Sequence, residues 1–338
     1  MPGWARWLLT PLHALALASG AKSFQGNPLL GSARLYLARR RLALRLGAHR
    51  RAQLAALLSP AERAAFDRDG YLVLPNFLPA PGFATLSAEL LGWQAPAREF
   101  ADGSTLTRLL PLDALSLRHL PATRAALASP RYQGLHAYAG SFRAAPFTFV
   151  QSVFSGVRPA PPDVQSHWHI DTFHPTVKSW LFLTPVAAGE AGFTYVPGSH
   201  RPTRRHLAWE RRLSRSAAQS PDAMTREGSL RLDDATLARL GHAAPVKLAV
   251  APNTLVIADT SGIHRRGLSD GSASRIAIWA YGRGSPFLPW AWAPFSRLPG
   301  RGLAVRALWA GQDLLARLRG RQGGWRWVGQ RMAATPPE

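Results

Sequence analysis

The segment 166–174 reads Ser-His-Trp-His-Ile-Asp-Thr-Phe-His and gathers metal-binding side chains into one short stretch. In an extended strand, residues two apart point to the same face, so His169 and Asp171 can present an imidazole and a carboxylate to one ion. That is two-thirds of a 2-His-1-carboxylate set, which leaves adjacent coordination positions open and suits non-haem Fe(II) oxygen chemistry. His167 and His169, also two apart, offer a competing cupin-like pair, although that choice leaves Asp171 without a role. A His-x-Asp pair arises easily by chance, so the remaining ligand has to be found elsewhere. His264 stands just beyond the apolar run Thr254 to Ala258, and Arg275 opens the next such run. A buried arginine there can clamp a dicarboxylate through its planar fork.

The elements that would carry these residues are short β-like runs divided by Gly, Pro and Asn. They span 147–154, 178–186, 193–196, 246–250, 254–258 and 275–281, with Pro252-Asn253 as a tight turn. Such a series points to an antiparallel barrel or jelly roll. An insertion at 201–245 carries a helix ending at Gly241. Ahead of the runs, Ser59-Pro-Ala-Glu62 is a helix start with N-cap, N1 proline and capping-box glutamate, and the helix ends near Gly70. A strand-like run follows at 71–78, then a helix over about 79–92 with Phe83, Leu86 and Leu90 on one side. Periodicity is weak from 95 to 135, which reads as mixed helix and loop.

The 338 residues, 46% of them hydrophobic, can bury a sizeable core. Cysteine is absent, which excludes disulfides, thiolate metal sites, iron–sulfur clusters and cysteine nucleophiles, so any metal must rest on His, Asp or Glu. A formal charge of +22 suggests a polyanionic partner. Lysine occurs only at 22, 178 and 247, however, and a compositional bias toward arginine gives the same total without any selection for binding. The charge concentrates in a basic N-terminal arm, residues 1–58, and in a basic amphipathic C-terminal segment, residues 291–338. In the arm, the leucines at 35, 42, 46, 54, 57 and 58 predict a helix that packs on its apolar side and leaves its arginines solvated, with docking on anionic lipid as the alternative. In the tail, Ala304, Ala307, Leu308, Gly311, Leu315 and Leu318 predict a further helix, followed by Trp325 and Trp327. The apolar stretch from Trp7 to Ala18 is broken by Pro11 and His13 and is read as neither signal peptide nor membrane span. The expectation is a cytoplasmic protein that is soluble or lies at the inner membrane surface.

These motifs together resemble the phytanoyl-CoA dioxygenase family of 2-oxoglutarate oxygenases, from about Phe66 to Tyr281. The resemblance rests on Phe-Asp-Arg-Asp-Gly-Tyr-Leu-Val-Leu-Pro-Asn-Phe-Leu at 66–78, His169-Ile-Asp171, Trp180, Val196-Pro-Gly-Ser-His200, and His264 with Arg275, in that order. It implies a mainly β fold with flanking helices around a double-stranded β-helix, the cupin-like jelly roll, in a domain spanning 59–290. It further implies Fe(II) held by His169, Asp171 and His264, 2-oxoglutarate held by Arg275 with Trp180 and Gln151 lining its pocket, and O2 as oxidant. The reaction implied is decarboxylation of 2-oxoglutarate to succinate coupled to hydroxylation of a small-molecule or lipid-linked substrate. Asp171, the carboxylate that family halogenases lack, argues against halogenation. His200 is expected to be structural, His174 to line the pocket or lie on the surface, and Asp259 to sit in a loop or behind the ligands. Arg265-Arg266 after His264 departs from the family's usual Gly-Ser, placing charge near the site. The rival reading is a non-catalytic jelly roll anchored by its basic ends on membrane or nucleic acid. Nucleic acid is disfavoured because no reading motif is present.

Overall fold

The computed structural model describes residues 33–292, 304–318 and 324–337. Helix α1 (Ala33–Gln53) leads to α2 (Pro60–Asp69), strand β1 (Tyr71–Leu74) and α3 (Ala80–Gly92). Strands β2 (Gln94–Asp102) and β3 (Thr105–Pro111) precede α4 (Pro121–Ala128) and α5 (Pro130–Ala139). Next come β4 (Phe147–Ser155), β5 (Trp168–His169), β6 (Val177–Phe182) and β7 (Phe193–Tyr195). The stretch 201–245 contains α6 (Arg204–Ser214), α7 (Ala223–Arg226), β8 (Arg231–Leu232) and α8 (Asp234–Arg239). Strands β9 (Val246–Lys247), β10 (Leu255–Asp259), β11 (His264–Arg266) and β12 (Ala273–Gly282) follow, then α9 (Ala304–Leu318) and β13 (Arg326–Met332).

The strands form an eight-stranded sheet, β1-β10-β6-β12-β4-β3-β2-β13, and a five-stranded sheet, β8-β5-β11-β7-β9. Every ladder between these strands is antiparallel, giving the expected jelly roll with flanking helices. Strand periodicity decides which side chains reach the site. On β12, Ile276, Ile278 and Ala280 point outward with Leu181, Leu255 and Ile257 into a core shared with Leu86, Leu90 and Leu135 of the helices. Ala277 and its inward neighbours pack between the sheets with Trp180, Phe182, Phe193 and Tyr195. A one-residue slip of β12 would exchange these two sets.

The Ser59 start is present as a full capping box, and Gly70 ends α2 in the left-handed region at φ 85°. Three expectations change. The stretch read as helix and loop from 95 contains the hairpin β2–β3 instead. Its pattern is masked because β2 offers only small apolar residues, Ala95 and Ala97, to the core and carries Pro96, Arg98 and Glu99. Residues 326–332, expected within a helical tail, form edge strand β13 on β2, with a register shift beside Pro96, which has no N–H to give a ladder. Helix α1, finally, packs by the stripe Tyr36, Arg40, Ala43, Gly47, Arg50 and Leu54, while Leu42 is 47% exposed. Among the described residues no helix is long and apolar enough to cross a membrane. Residues 1–32, including the stretch from Trp7 to Ala18, lie outside the described residues.

Candidate metal and co-substrate site

His169 ends β5, His264 begins β11, and the two are direct partners across an antiparallel ladder. Asp171 lies just past β5, where its backbone N–H donates to Thr260 O at 2.9 Å. Ligating atoms of all three side chains lie within 4.8 Å of one another. The two imidazoles are oriented by their far nitrogens. His169 Nδ1–H donates to His167 O at 2.7 Å, and His264 Nδ1–H donates to Gly262 O at 3.0 Å. Both Nε2 atoms therefore turn a lone pair toward Asp171, at 3.9 and 3.8 Å, and neither has a hydrogen-bond partner although both are buried. Buried nitrogens left this way are costly unless something accepts their lone pairs. Burial lowers both imidazole pKa values, that of His264 to about 4, so both are neutral near pH 7 as metal ligation requires. Burial alone would raise the Asp171 carboxyl, but the Lys178 ammonium at 2.6 Å overrides it and holds Asp171 well below the usual carboxylate range. Two neutral imidazole nitrogens and a carboxylate fit a divalent first-row metal.

The triad lines a cavity of about 580 Å³ that also receives Arg275, Trp180, Gln151 and Lys178. Arg275 is 8% exposed and donates through Nη1 to Ala191 O at 2.6 Å, while its Nε has no partner. Burial, then Arg266, pushes its pKa down to about 9, so it stays cationic near neutrality. Trp180 Nε1–H donates to Gln151 Oε1 at 3.3 Å, which ties the two expected pocket residues together. The cavity lining also includes the aromatic side chains of Phe100, Trp279, Tyr281 and Trp325.

The cupin-like His167 pairing is not formed, because His167 is exposed and supports His169 only through its carbonyl. His174 neither lines the cavity nor reaches the surface. It is 1% exposed, with Nδ1–H donating to Pro175 O at 3.0 Å. His200 is buried against Phe66, in keeping with a structural role. Arg266 donates to Asp163 at 2.8 Å, and the Arg265 guanidinium lies 4.0 Å from the centre of the Trp168 ring. Sequence reasoning missed Lys178. Its signal was available, since Lys178 is one of three lysines and stands two residues before Trp180, on the same strand face.

A family model described as phytanoyl-CoA dioxygenase matches residues 66–238. No curated protein sequence matches the chain. Solved structures with similar folds include the non-heme alpha-ketoglutarate-dependent epimerase SnoN from nogalamycin biosynthesis, at 19% identity and TM-score 0.45, covering 73% of this chain and 91% of that one. Another is EctD from S. alaskensis with bound Fe, at 17% identity and TM-score 0.40, covering 67% and 77%. HygX from Streptomyces hygroscopicus, with nickel and 2-oxoglutarate bound, is similar at 18% identity and TM-score 0.39, covering 67% and 87%.

Proposed function

The chain belongs to the phytanoyl-CoA dioxygenase family, and from that premise we propose that it is an Fe(II)/2-oxoglutarate-dependent dioxygenase that hydroxylates a small-molecule or lipid-linked substrate. The observation that carries this reading is the convergence of two partnerless Nε2 atoms and one carboxylate on a cavity that also holds a buried arginine. In this reading His169, Asp171 and His264 hold the iron and Arg275 binds the distal carboxylate of 2-oxoglutarate. Iron and 2-oxoglutarate together supply O2 activation and the two-electron oxidation, releasing succinate and CO2.

The protein's part is orientation. His167 O and Gly262 O fix the tautomers of the two imidazoles, so that each offers Nε2 without rearrangement. Lys178 holds Asp171 ionised and limits which carboxylate oxygen turns to the ligand site. Arg275 has spare donors in a buried setting, where a charge-assisted pair with a carboxylate is strong. Trp180 and Gln151, bonded to each other, keep that part of the cavity shaped before the co-substrate arrives. The aromatic wall excludes water and accepts an apolar substrate portion.

Anaerobic addition of Fe(II) and then 2-oxoglutarate to metal-free protein tests the proposal. The expected result is a weak visible metal-to-ligand charge-transfer band in the wild type that is diminished in Arg275→Ala. A filled iron site with no band on adding 2-oxoglutarate would overturn the reading and leave a jelly-roll binding protein.

A further inference from the structure

Helix α1 precedes the family match and is separated from β11 by more than two hundred residues, yet it grips the backbone that carries two of the three proposed ligands. The turn after β10 is the centre of that grip. Asp259, 1% exposed, accepts from Thr176 N at 3.2 Å and Ser261 N at 3.0 Å through Oδ1. Its backbone O accepts from the Tyr195 hydroxyl at 2.8 Å. The next residue, Thr260, donates its N–H to Thr176 O and accepts from Asp171 N, both at 2.9 Å. Gly262, two residues further, supplies the carbonyl that orients His264. One five-residue turn therefore positions Asp171 through its backbone and His264 through its ring.

Arg51 of α1 closes this arrangement from outside. Its Nη2 donates to Asp259 Oδ2 at 2.6 Å and to Ala139 O at 2.7 Å, and its Nε donates to Tyr138 O at 3.1 Å. The guanidinium thereby joins the carbonyl end of α5 to the turn. Arg40 reaches Ser261 O at 3.4 Å from the same helix. Gly47 lets α1 approach this closely, since a Cβ there would lie 2.6 Å from Pro175 Cγ, one residue from Thr176.

We propose that Arg51, acting through Asp259, is a positioning residue of the metal site, so that the N-terminal helix is part of the catalytic apparatus. This inference rests on the iron-binding reading above. Outer residues that orient ligands typically carry 10- to 100-fold in metal affinity, which sets the scale of the effect. The test is Fe(II) affinity of full-length protein by anaerobic calorimetry, with thermal stability measured in parallel, for Arg51→Gln, Asp259→Asn, Arg51→Lys and Arg50→Gln. Arg50 serves as the control because it is buried in the same helix but donates to Ser141 O and Leu288 O, away from the turn. We expect Arg51→Gln and Asp259→Asn to weaken Fe(II) binding about tenfold or more. Arg51→Lys should recover part of that loss, and Arg50→Gln should lower stability without changing affinity. Asp259→Asn is isosteric and keeps the Oδ1 acceptor, so it decides the matter if Arg51→Gln does not fold. Wild-type affinity in both Arg51→Gln and Asp259→Asn, with lowered stability, would overturn the proposal and leave α1 a purely structural helix. Amide hydrogen exchange of the metal-free protein gives an independent reading. Faster exchange at Asp171 and Ser261 in Arg51→Gln supports positioning, and unchanged exchange there overturns it. Failure of the wild type to bind Fe(II) would instead count against the iron reading, which the exchange measurement does not require.

Discussion

The two ends of this chain have similar compositions and serve different parts of the molecule. At the N-terminal end, α1 turns Arg39, Arg40 and Arg50 inward, all 7% exposed or less. Arg40 meets Glu210 of the 201–245 insertion at 3.4 Å, with both side chains fully buried, and the Arg39 guanidinium lies 4.4 Å from the centre of the Phe173 ring. At the C-terminal end, α9 applies Val305 and Trp309 to Leu109 and Phe149, while Leu315 and Leu318 stay 50% and 74% exposed. Both ends are pinned by ion pairs, α9 through Arg306 to Asp113 and through Asp313 to Arg98, but only α1 reaches the backbone behind the candidate metal site. The C-terminal end adds aromatic packing to its ion pairs and contributes Trp325 to the cavity lining. Composition alone does not tell a clasp from a cover. What separates them is where the arginines' partners lie, since Arg51 meets the turn after β10 whereas Arg306 meets Asp113 after β3.

If that division is right, the largest stability effect lies at the buried pair. Removing one member leaves an uncompensated charge in the interior, so Glu210→Ala should destabilise the protein by about 3–5 kcal/mol in urea unfolding. A loss below about 1 kcal/mol would mean that α1 is held by other contacts. A smaller effect concerns α5, whose carbonyl end Arg51 caps. His136 there donates Nδ1–H to Tyr132 O and accepts from the Ser179 hydroxyl, both at 2.7 Å, and burial pushes its pKa down to about 4. The unfolded chain takes up this proton below about pH 6.5, whereas the folded chain resists it to about pH 4. Unfolding is thus increasingly favoured as the pH falls between those values, and the His136 contribution is fully present only above about 6.5. The contribution lost is about 3 kcal/mol at most. His174 and His200 are depressed in the same direction by burial. The quantity to measure is therefore the difference in pH slope between wild type and His136→Gln, and equal slopes would refute the assignment.

The same physics governs how much could be read from residues alone. The convergence of His169, Asp171 and His264, the buried Arg275 and most inner strands were legible, because period-two apolar runs and fixed motif spacings survive in a linear string. Hairpin β2–β3 was not, since the core positions of β2 are alanines and charges lie within both strands. The dipeptide Asp102-Gly103, with Gly103 at φ 55°, was the turn signal that marked it. The packing face of α1 was illegible for a deeper reason. Positions 36, 40, 43, 47, 50 and 54 follow a regular helical stripe, but two of them are arginine and one is glycine, and hydropathy assigns all three to solvent. Their partners, Glu210, Ser261 and Ser141, are distant in sequence, so only the fold reveals that the charges are satisfied.

At the cavity itself, the division between the ends separates two substitutions. Arg275→Ala removes charge-assisted bonds expected to contribute about 1.5–3 kcal/mol, so 2-oxoglutarate affinity should fall by roughly 10- to 150-fold with Fe(II) binding unchanged. Trp325→Ala acts on the aromatic lining. Its ring lies 5.4 Å from that of Phe100, an aromatic contact whose loss should lower stability by about 0.5–1.5 kcal/mol. Because Trp325 enters from the C-terminal end, the titration of Fe(II) and 2-oxoglutarate should be indistinguishable from wild type, and only the space left for substrate should change. A shift in either titration would mean that the C-terminal cover also reaches the metal. The two ends would then no longer differ in which part of the site they serve.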